Sequence, residues 1–333
     1  MASEEQASSD GARKAKTKQP PFFYGGQAVI EGVMIRGRRF LCVAVRRPTG
    51  QLTASLTPLN TLYTGPVRRI PLVRGVVVLA ETMVLGMKAL MYSTNVSLEQ
   101  EGQEMGKWSM GLMLAVSLGF AVGVFFLLPL FVIQFIDRYV DSDLLSNIVE
   151  GVIRLSLFLT YIGGIGMIPD IKRVFAYHGA EHMTVKAHEG NDPLEIDKIR
   201  KYSTAHPRCG TAFLLVVMVI AIFVFALLGR PPMFWRIVSR VVLIPVIAGL
   251  AYEVIRFSGA HQGNAFVRLV TRPSLLLQKM TTRQPDDDQI EVAVHAMSTV
   301  LAADEGRELP VVEPLPDTDE TPPSDDPAEP KEP

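Results

Sequence analysis

The sequence predicts a mainly α, polytopic membrane protein with about four transmembrane helices, an amphipathic helix and a small N-terminal β-hairpin. Three observations lead there. Apolar residues make up 48% of 333 residues, with mean hydropathy +0.23. They are gathered into runs long enough to cross a bilayer, which takes about 20 mainly apolar residues. The net charge of −1 hides an asymmetry: residues 302–333 carry −9, leaving +8 on the remaining 301. A basic body with apolar runs is the pattern of a membrane protein with basic cytoplasmic surfaces. Charged residues are only 20% of the chain and cysteines number two. Disorder over the whole length and a disulfide scaffold are thereby excluded.

From the N-terminus, residues 1–20 are small and polar and are expected to be a disordered tail. No secretory apolar region follows Met1, so no cleaved leader is expected. The membrane domain is expected over 21–301. It opens with a glycine-rich, tightly packed segment, Gly25-Gly26-Gln27-Ala28-Val29-Ile30-Glu31-Gly32-Val33. No strand–turn–helix unit surrounds it, so it is not a dinucleotide fingerprint. Residues 40–57 form a hairpin, with Arg47-Pro48-Thr49-Gly50 supplying the turn.

The stretch 70–92 carries Arg74, Glu81 and Lys88 at intervals of seven. Seven residues are nearly two helical turns, so the three share one stripe of an amphipathic helix. That stripe is expected to face solvent or headgroups, because a fifth span would put Glu81 near mid-membrane. The spans are expected at about 109–136, 147–168, 211–229 and 237–255. Glu150, Arg154, Arg240 and Glu253 fall within two turns of a span end, where long side chains reach the interface. Glu150 with Arg154, and Glu253 with Arg256, are read as interfacial ion pairs. The basic residues lie before the first span, in the loop 169–210 and after the fourth. This places both termini and that loop in the cytoplasm of a cell membrane, as in a bacterial inner membrane. A short helix is expected over 286–303, begun by Asp286-Asp287-Asp288. A disordered acidic tail is expected over 302–333.

The chemistry concentrates in the loop 169–210, which holds four of the six histidines and one cysteine. Helical spacing over 170–189 puts His178 and His182 one turn apart on one face, the separation at which two imidazoles can share a metal ion. Glu181 is about 60° off that stripe, placed as a general base rather than a ligand, as in the H-x-x-E-H pattern of inverted zincins. Glu189 is about 10 Å further along the axis and cannot share the ion on a continuous helix. His188 points elsewhere. His206 and Cys209 are the best completing ligands, with Glu31 and Glu253 as additional candidates. Glu31 is read first as a charge at a helix start, ahead of a catalytic acid. Gly179 inside the motif costs a helix about 1 kcal/mol against alanine and leaves room for a bent loop. His261 and His295 have no partner at ligand spacing.

Several segments resemble the YqhQ-like family, catalogued as a domain of unknown function (DUF-1385). They are Gly25 to Gly37, Ala176-Tyr177-His178-Gly179-Ala180-Glu181-His182, and His206-Pro207-Arg208-Cys209-Gly210-Thr211. Gln278 to Pro285 and Ile290-Glu291-Val292-Ala293 complete the likeness, which runs from about 22 to 300. The resemblance implies an integral membrane protein with metal-dependent chemistry and supplies no substrate. Met183 departs from it, standing where a lysine or similar polar residue is expected.

The function these features suggest is a metal-dependent hydrolase acting at the membrane surface. Zn²⁺, or another divalent ion, is the expected cofactor, and the expected partners are the bilayer and a lipid-like or membrane-peptide substrate. Nucleic acid is not an expected partner. The alternative is a non-catalytic scaffold whose His/Cys cluster is structural and whose acidic tail recruits a protein. A transporter ranks third, since charges near span ends give no polar path through the midplane.

Overall fold

The computed structural model describes residues 24–60, 65–66, 70–99, 107–206, 208–261 and 263–308. The expected tails at 1–20 and beyond 308 lie outside them. Four antiparallel strands come first: β1 (Gly25–Val29), β2 (Gly32–Arg36), β3 (Phe40–Arg46) and β4 (Leu52–Pro58), in the order β1-β2-β3-β4. The expected hairpin is β3–β4, with Gly50 at φ 87° in its turn. The tightly packed glycine-rich segment forms a second hairpin, β1–β2. Its turn residue Glu31 has φ 52°, so it starts no helix.

The helices are α1 (Val73–Leu98), α2 (Lys107–Val122), α3 (Leu128–Ile136), α4 (Asp143–Ile165), α5 (Pro169–Glu189) and the single turn α6 (Ile196–Ile199). They continue as α7 (Gly210–Leu227), α8 (Met233–Val242), α9 (Ile244–Ala260), α10 (Ala265–Thr281) and α11 (Asp287–Glu305).

The sheet is covered on both faces, which explains why β2 and β3 are apolar at consecutive positions instead of alternating. Val33, Ile35, Cys42 and Ala44 point to a core shared with Tyr177, Ala180 and Met183 of α5 and with Ile290, Ala293 and Met297 of α11. Met34, Leu41, Val43 and Val45 point the other way, onto Ala89, Tyr92 and Val96 of α1. The helix expected at 286–303 is therefore a core element, not an appendage. Asp286 caps it in a reciprocal capping box with Gln289, and left-handed Gly306 ends it. It runs to Glu305.

Among the described residues, four helices are long and apolar enough to cross a membrane: Val73–Leu98, Gly111–Tyr139, Asp143–Ile165 and Gly210–Leu227. The protein is a mainly α, polytopic membrane protein, but the set of spans differs from the expected one. Residues 237–255 are not one straight span. α8 and α9 meet at a 44° bend beside Pro245, forming a broken span or a re-entrant loop. Conversely, 73–98 has span length, and its polar stripe is not a solvated edge. Arg74 is ion-paired with Glu253, and Glu81, buried, with Arg36; Lys88 alone of the three is exposed. Glu253 thus pairs with Arg74 rather than with Arg256.

Glu150 and Arg154 do pair, but within a larger buried cluster rather than as an isolated pair. Arg154 lies eleven residues from either end of α4. Glu150 is 1% exposed and accepts from Arg154 (2.8 Å), Arg236 (2.8 Å) and Arg240 (2.7 and 3.0 Å). The Arg154 Nε–H donates to the Phe125 carbonyl at 2.9 Å. The residue four positions on is Pro129, which has no N–H to offer that carbonyl, and the chain there widens into a π turn, Gly123–Leu127.

Candidate metal centre

α5 carries the centre as one unbroken helix packed against the sheet. Pro169 sits in its first turn and Gly190 follows its last residue. Gly179 does not bend it. A Cβ there would stand 2.2 Å from the Arg283 carbonyl oxygen, so glycine is what lets the chain after α10 lie against the helix. The Arg283 N–H donates to the Phe175 carbonyl at 2.9 Å and fixes that approach.

The same approach orients the histidines. The His178 Nδ1 is 2.9 Å from the Thr281 carbonyl oxygen, and the His182 Nδ1 is 2.5 Å from that of Thr204. A carbonyl only accepts, so each Nδ1 carries the proton and each Nε2 presents a lone pair. The rings lie 4.4 Å apart between centroids. Cys209, the N-cap of α7, completes the group. Its Sγ is 3.2 Å from the His178 Nε2, 3.2 Å from the Thr211 Oγ1, and accepts the Thr211 N–H at 3.4 Å. Donor atoms of His178, His182 and Cys209 all lie within 4.8 Å of one another.

Three such donors could hold a divalent metal ion. Zn–N bonds of 2.0–2.1 Å and Zn–S bonds of 2.3 Å give tetrahedral edges of about 3.4 Å (N to N) and about 3.5 Å (N to S). The Cys209–His178 separation, 3.2 Å, is near that edge but shorter. Mixed imidazole and thiolate donors favour zinc over magnesium or calcium, which prefer oxygen.

Glu181 is buried beside the trio. One carboxylate oxygen is 3.5 Å from the His182 Nε2, and the carboxylate accepts the Gly26 N–H. Burial raises its pKa above the ordinary carboxylate value, while His178, His206 and the Gly26 amide act in the opposite direction. Gly26 is glycine because a Cβ there would fall 2.0 Å from the Met34 carbonyl oxygen across the β1–β2 pair.

His206 stands next to the trio but outside it. Its ring is 5.6 Å from that of His182 between centroids. The Arg208 N–H donates to its Nδ1 at 3.3 Å, and its Nε2 faces Glu189 at 3.5 Å. Glu189, also ion-paired with Arg208, is held below the ordinary carboxylate range against the cost of burial by His206 and Arg208. Gln278 clamps the His206 backbone, accepting its N–H at 2.7 Å and donating to its carbonyl at 2.8 Å.

The remaining candidates lie elsewhere. Glu31 accepts from Arg173 (2.5 and 2.7 Å) and Tyr177 (3.2 Å). Glu253 is taken by Arg74 and the Leu72 N–H. His188 stacks edge-on to Tyr24 at 5.0 Å. Sequence reasoning missed the Thr281 and Thr204 carbonyls, Gln278, and the pairing of Glu189 with His206. Backbone acceptors leave no residue-type signal; only the Gln278–Pro285 segment, one of the family-like stretches, pointed to that region.

A family model described as "Protein of unknown function (DUF1385)" matches residues 70–303. The chain belongs to this DUF1385 family. The "Uncharacterized protein YqhQ" of Bacillus subtilis (strain 168) is 35% identical over 301 residues, covering 86% of this chain and 94% of that protein. No solved structure matches. The family match contains α5, Cys209 and Thr281, so the whole candidate centre lies inside it. The share of the chain covered by the Bacillus protein exceeds what lies beyond residue 69, so that likeness reaches back before the family match.

Proposed function

We propose that this DUF1385 protein is a metal-dependent membrane enzyme, a hydrolase, with zinc held by His178, His182 and Cys209. The observation that carries this is the pair of Nδ1–carbonyl bonds. They fix both tautomers so that two Nε2 lone pairs converge beside one thiol, the outer-shell arrangement that orients zinc-binding histidines. Three protein donors leave a fourth position open, which is the composition of catalytic rather than structural zinc sites. Zinc bound there supplies Lewis acidity that brings the pKa of a water to about 7. Glu181, beside His182, is placed to take and return a proton at that open position. Its buried carboxylate is anchored by the Gly26 amide, so the group cannot swing away. His206 and Glu189 line the neighbouring side.

The basic loops put this end of the helices in the cytoplasm, at the bilayer surface, where a lipid-like or membrane-peptide substrate fits. The burial of His182 and Cys209 (2% and 6% exposed) favours a second reading, a structural zinc site in a membrane scaffold.

Metal analysis of the full chain purified in detergent tests the proposal. The expected result is near-stoichiometric zinc, lost in His178→Ala/His182→Ala. A metal-free wild type would contradict both readings. Glu181→Gln separates them: zinc and folding kept but cellular function lost supports catalysis, whereas function kept supports the scaffold.

A further inference from the structure

α10 (Ala265–Thr281) has three faces rather than two. At about 100° per residue, Val267, Ser274, Gln278 and Thr281 fall within about 60° of one another. They are buried where the helix packs on α7. Arg268, Arg272 and Lys279 share a stripe about 40° wide. All three are exposed and none forms an ion pair with a described residue. Phe266, Leu269, Val270 and Leu276 fill the remaining arc of about 120°. They are 72%, 58%, 53% and 60% exposed. Leu277, one turn from the helix end, falls inside that arc but is covered.

An apolar arc bordered by a cationic stripe is the pattern of a helix lying in a membrane interface, with its stems in the acyl boundary and its charges at the headgroups. The depth agrees. Val270, Thr271 and Ser274 line a small crevice with Val216 and Val254. Val216 is six residues into α7, about 9 Å from the helix start. At its far end, α10 reaches Gly163 near the end of α4 through Met280, and Thr211 through Thr281. The helix thus stays near the site-bearing end of the bundle, within the 5–10 Å that interfacial helices penetrate.

We propose that the exposed apolar arc of α10 is seated in the bilayer interface and that Arg268, Arg272 and Lys279 bind anionic phospholipid headgroups there. The occupant is the lipid surface because the charge of the stripe is complementary to acidic headgroups. The arc also adjoins α7, itself long and apolar enough to span. The helix ends at Thr281, whose carbonyl holds the His178 ring, so the lipid contact lies one element from the candidate centre. This inference does not depend on a metal being bound.

The test uses the full chain in vesicles of phosphatidylcholine, with and without phosphatidylglycerol. A spin label on Leu269→Cys is expected to be relaxed by oxygen dissolved in the acyl region and shielded from an aqueous nickel complex. Wild type taken through the same labelling supplies the background from Cys42 and Cys209. Enrichment of phosphatidylglycerol around the protein is expected to fall several-fold in Arg268→Gln/Arg272→Gln/Lys279→Gln, since each cation near a charged surface is worth about fivefold in affinity. Zinc content should not change. A label open to the nickel complex would overturn the proposal. So would a label shielded from both reagents, which means a protein partner or second copy covers the arc. Unchanged lipid enrichment in the triple variant would overturn the headgroup assignment. Should that variant fail to fold, the Leu269 depth measurement still decides.

Discussion

Gly179 sits between the two histidines, and its hydrogen is part of the site. Alanine elsewhere in a helix gains about 1 kcal/mol over glycine. At 179 the added methyl meets the Arg283 carbonyl oxygen at 2.2 Å, and it must push away the segment whose Thr281 carbonyl orients His178. Overpacking of this kind costs about 1–3 kcal/mol. Gly179→Ala is therefore expected to lower the melting temperature in detergent and to reduce zinc retention. Gly119→Ala, where nothing lies within 4 Å, should leave both unchanged or raise stability slightly. Equal behaviour of the two variants would contradict the close approach. The same residue shows what the sequence reveals and what it hides. The i, i+4 spacing of His178 and His182 was legible because it depends only on helix geometry. The purpose of the glycine between them was not, because its reason lies about a hundred residues away. His206 and Cys209 were equally plausible by spacing. The fold separates them, since the Nε2 of His206 is turned to Glu189 while Cys209 caps α7 beside the two rings.

Among the elements, α4 and α8 show how tertiary contacts changed an expectation. Read singly, Glu150, Arg154 and Arg240 are charges near span ends. Packed together, Arg154, Arg236 and Arg240 surround one carboxylate that is 1% exposed. Arg236 and Arg240 come from α8, the short helix before the 44° bend, so one carboxylate ties the bent segment to α4. Removing one partner from a buried ionic group is far costlier than forming the group is favourable, at about 3–5 kcal/mol. Glu150→Ala is expected to cause severe loss of folded protein, read as yield and unfolding temperature in detergent. Glu253→Gln, at a partly exposed pair, should be mild. A Glu150→Ala protein as stable as wild type would show that the arginines have other partners. α10 went unread for a local reason: Pro273 interrupts it, and the basic residues between its apolar positions suggested only a basic loop. The central strands announced themselves as apolar, but the second covered face of the sheet followed only from α1 packing on it.

Across the whole molecule, the helices separate two polar centres. α4 begins beside the Glu150 cluster and ends next to α5, whereas α7 begins at Cys209 and ends beyond Phe225, whose ring lies 4.5 Å from the Arg240 guanidinium. The histidine centre and the arginine cluster therefore belong to opposite ends of the bundle. If the basic loops set the orientation, a reporter fused after residue 333 reads as cytoplasmic, and a reporter active on the other side would invert the assignment of both ends. The class of protein was legible from apolar runs and charge asymmetry, because a bilayer constrains sequence more than a soluble core does. Which segments span was less legible, because pairing by Arg36 and Glu253 settles the charges of α1, and a bend at Pro245 breaks what hydropathy reads as continuous.

X-ray absorption at the zinc edge of the purified full-length protein bears most directly on the centre itself. The expected spectrum has imidazole nitrogens at about 2.0 Å and a single sulfur at about 2.3 Å, the sulfur shell disappearing in Cys209→Ser. A spectrum with no sulfur in wild type, or with a sulfur that survives that substitution, would place any bound metal away from His178, His182 and Cys209.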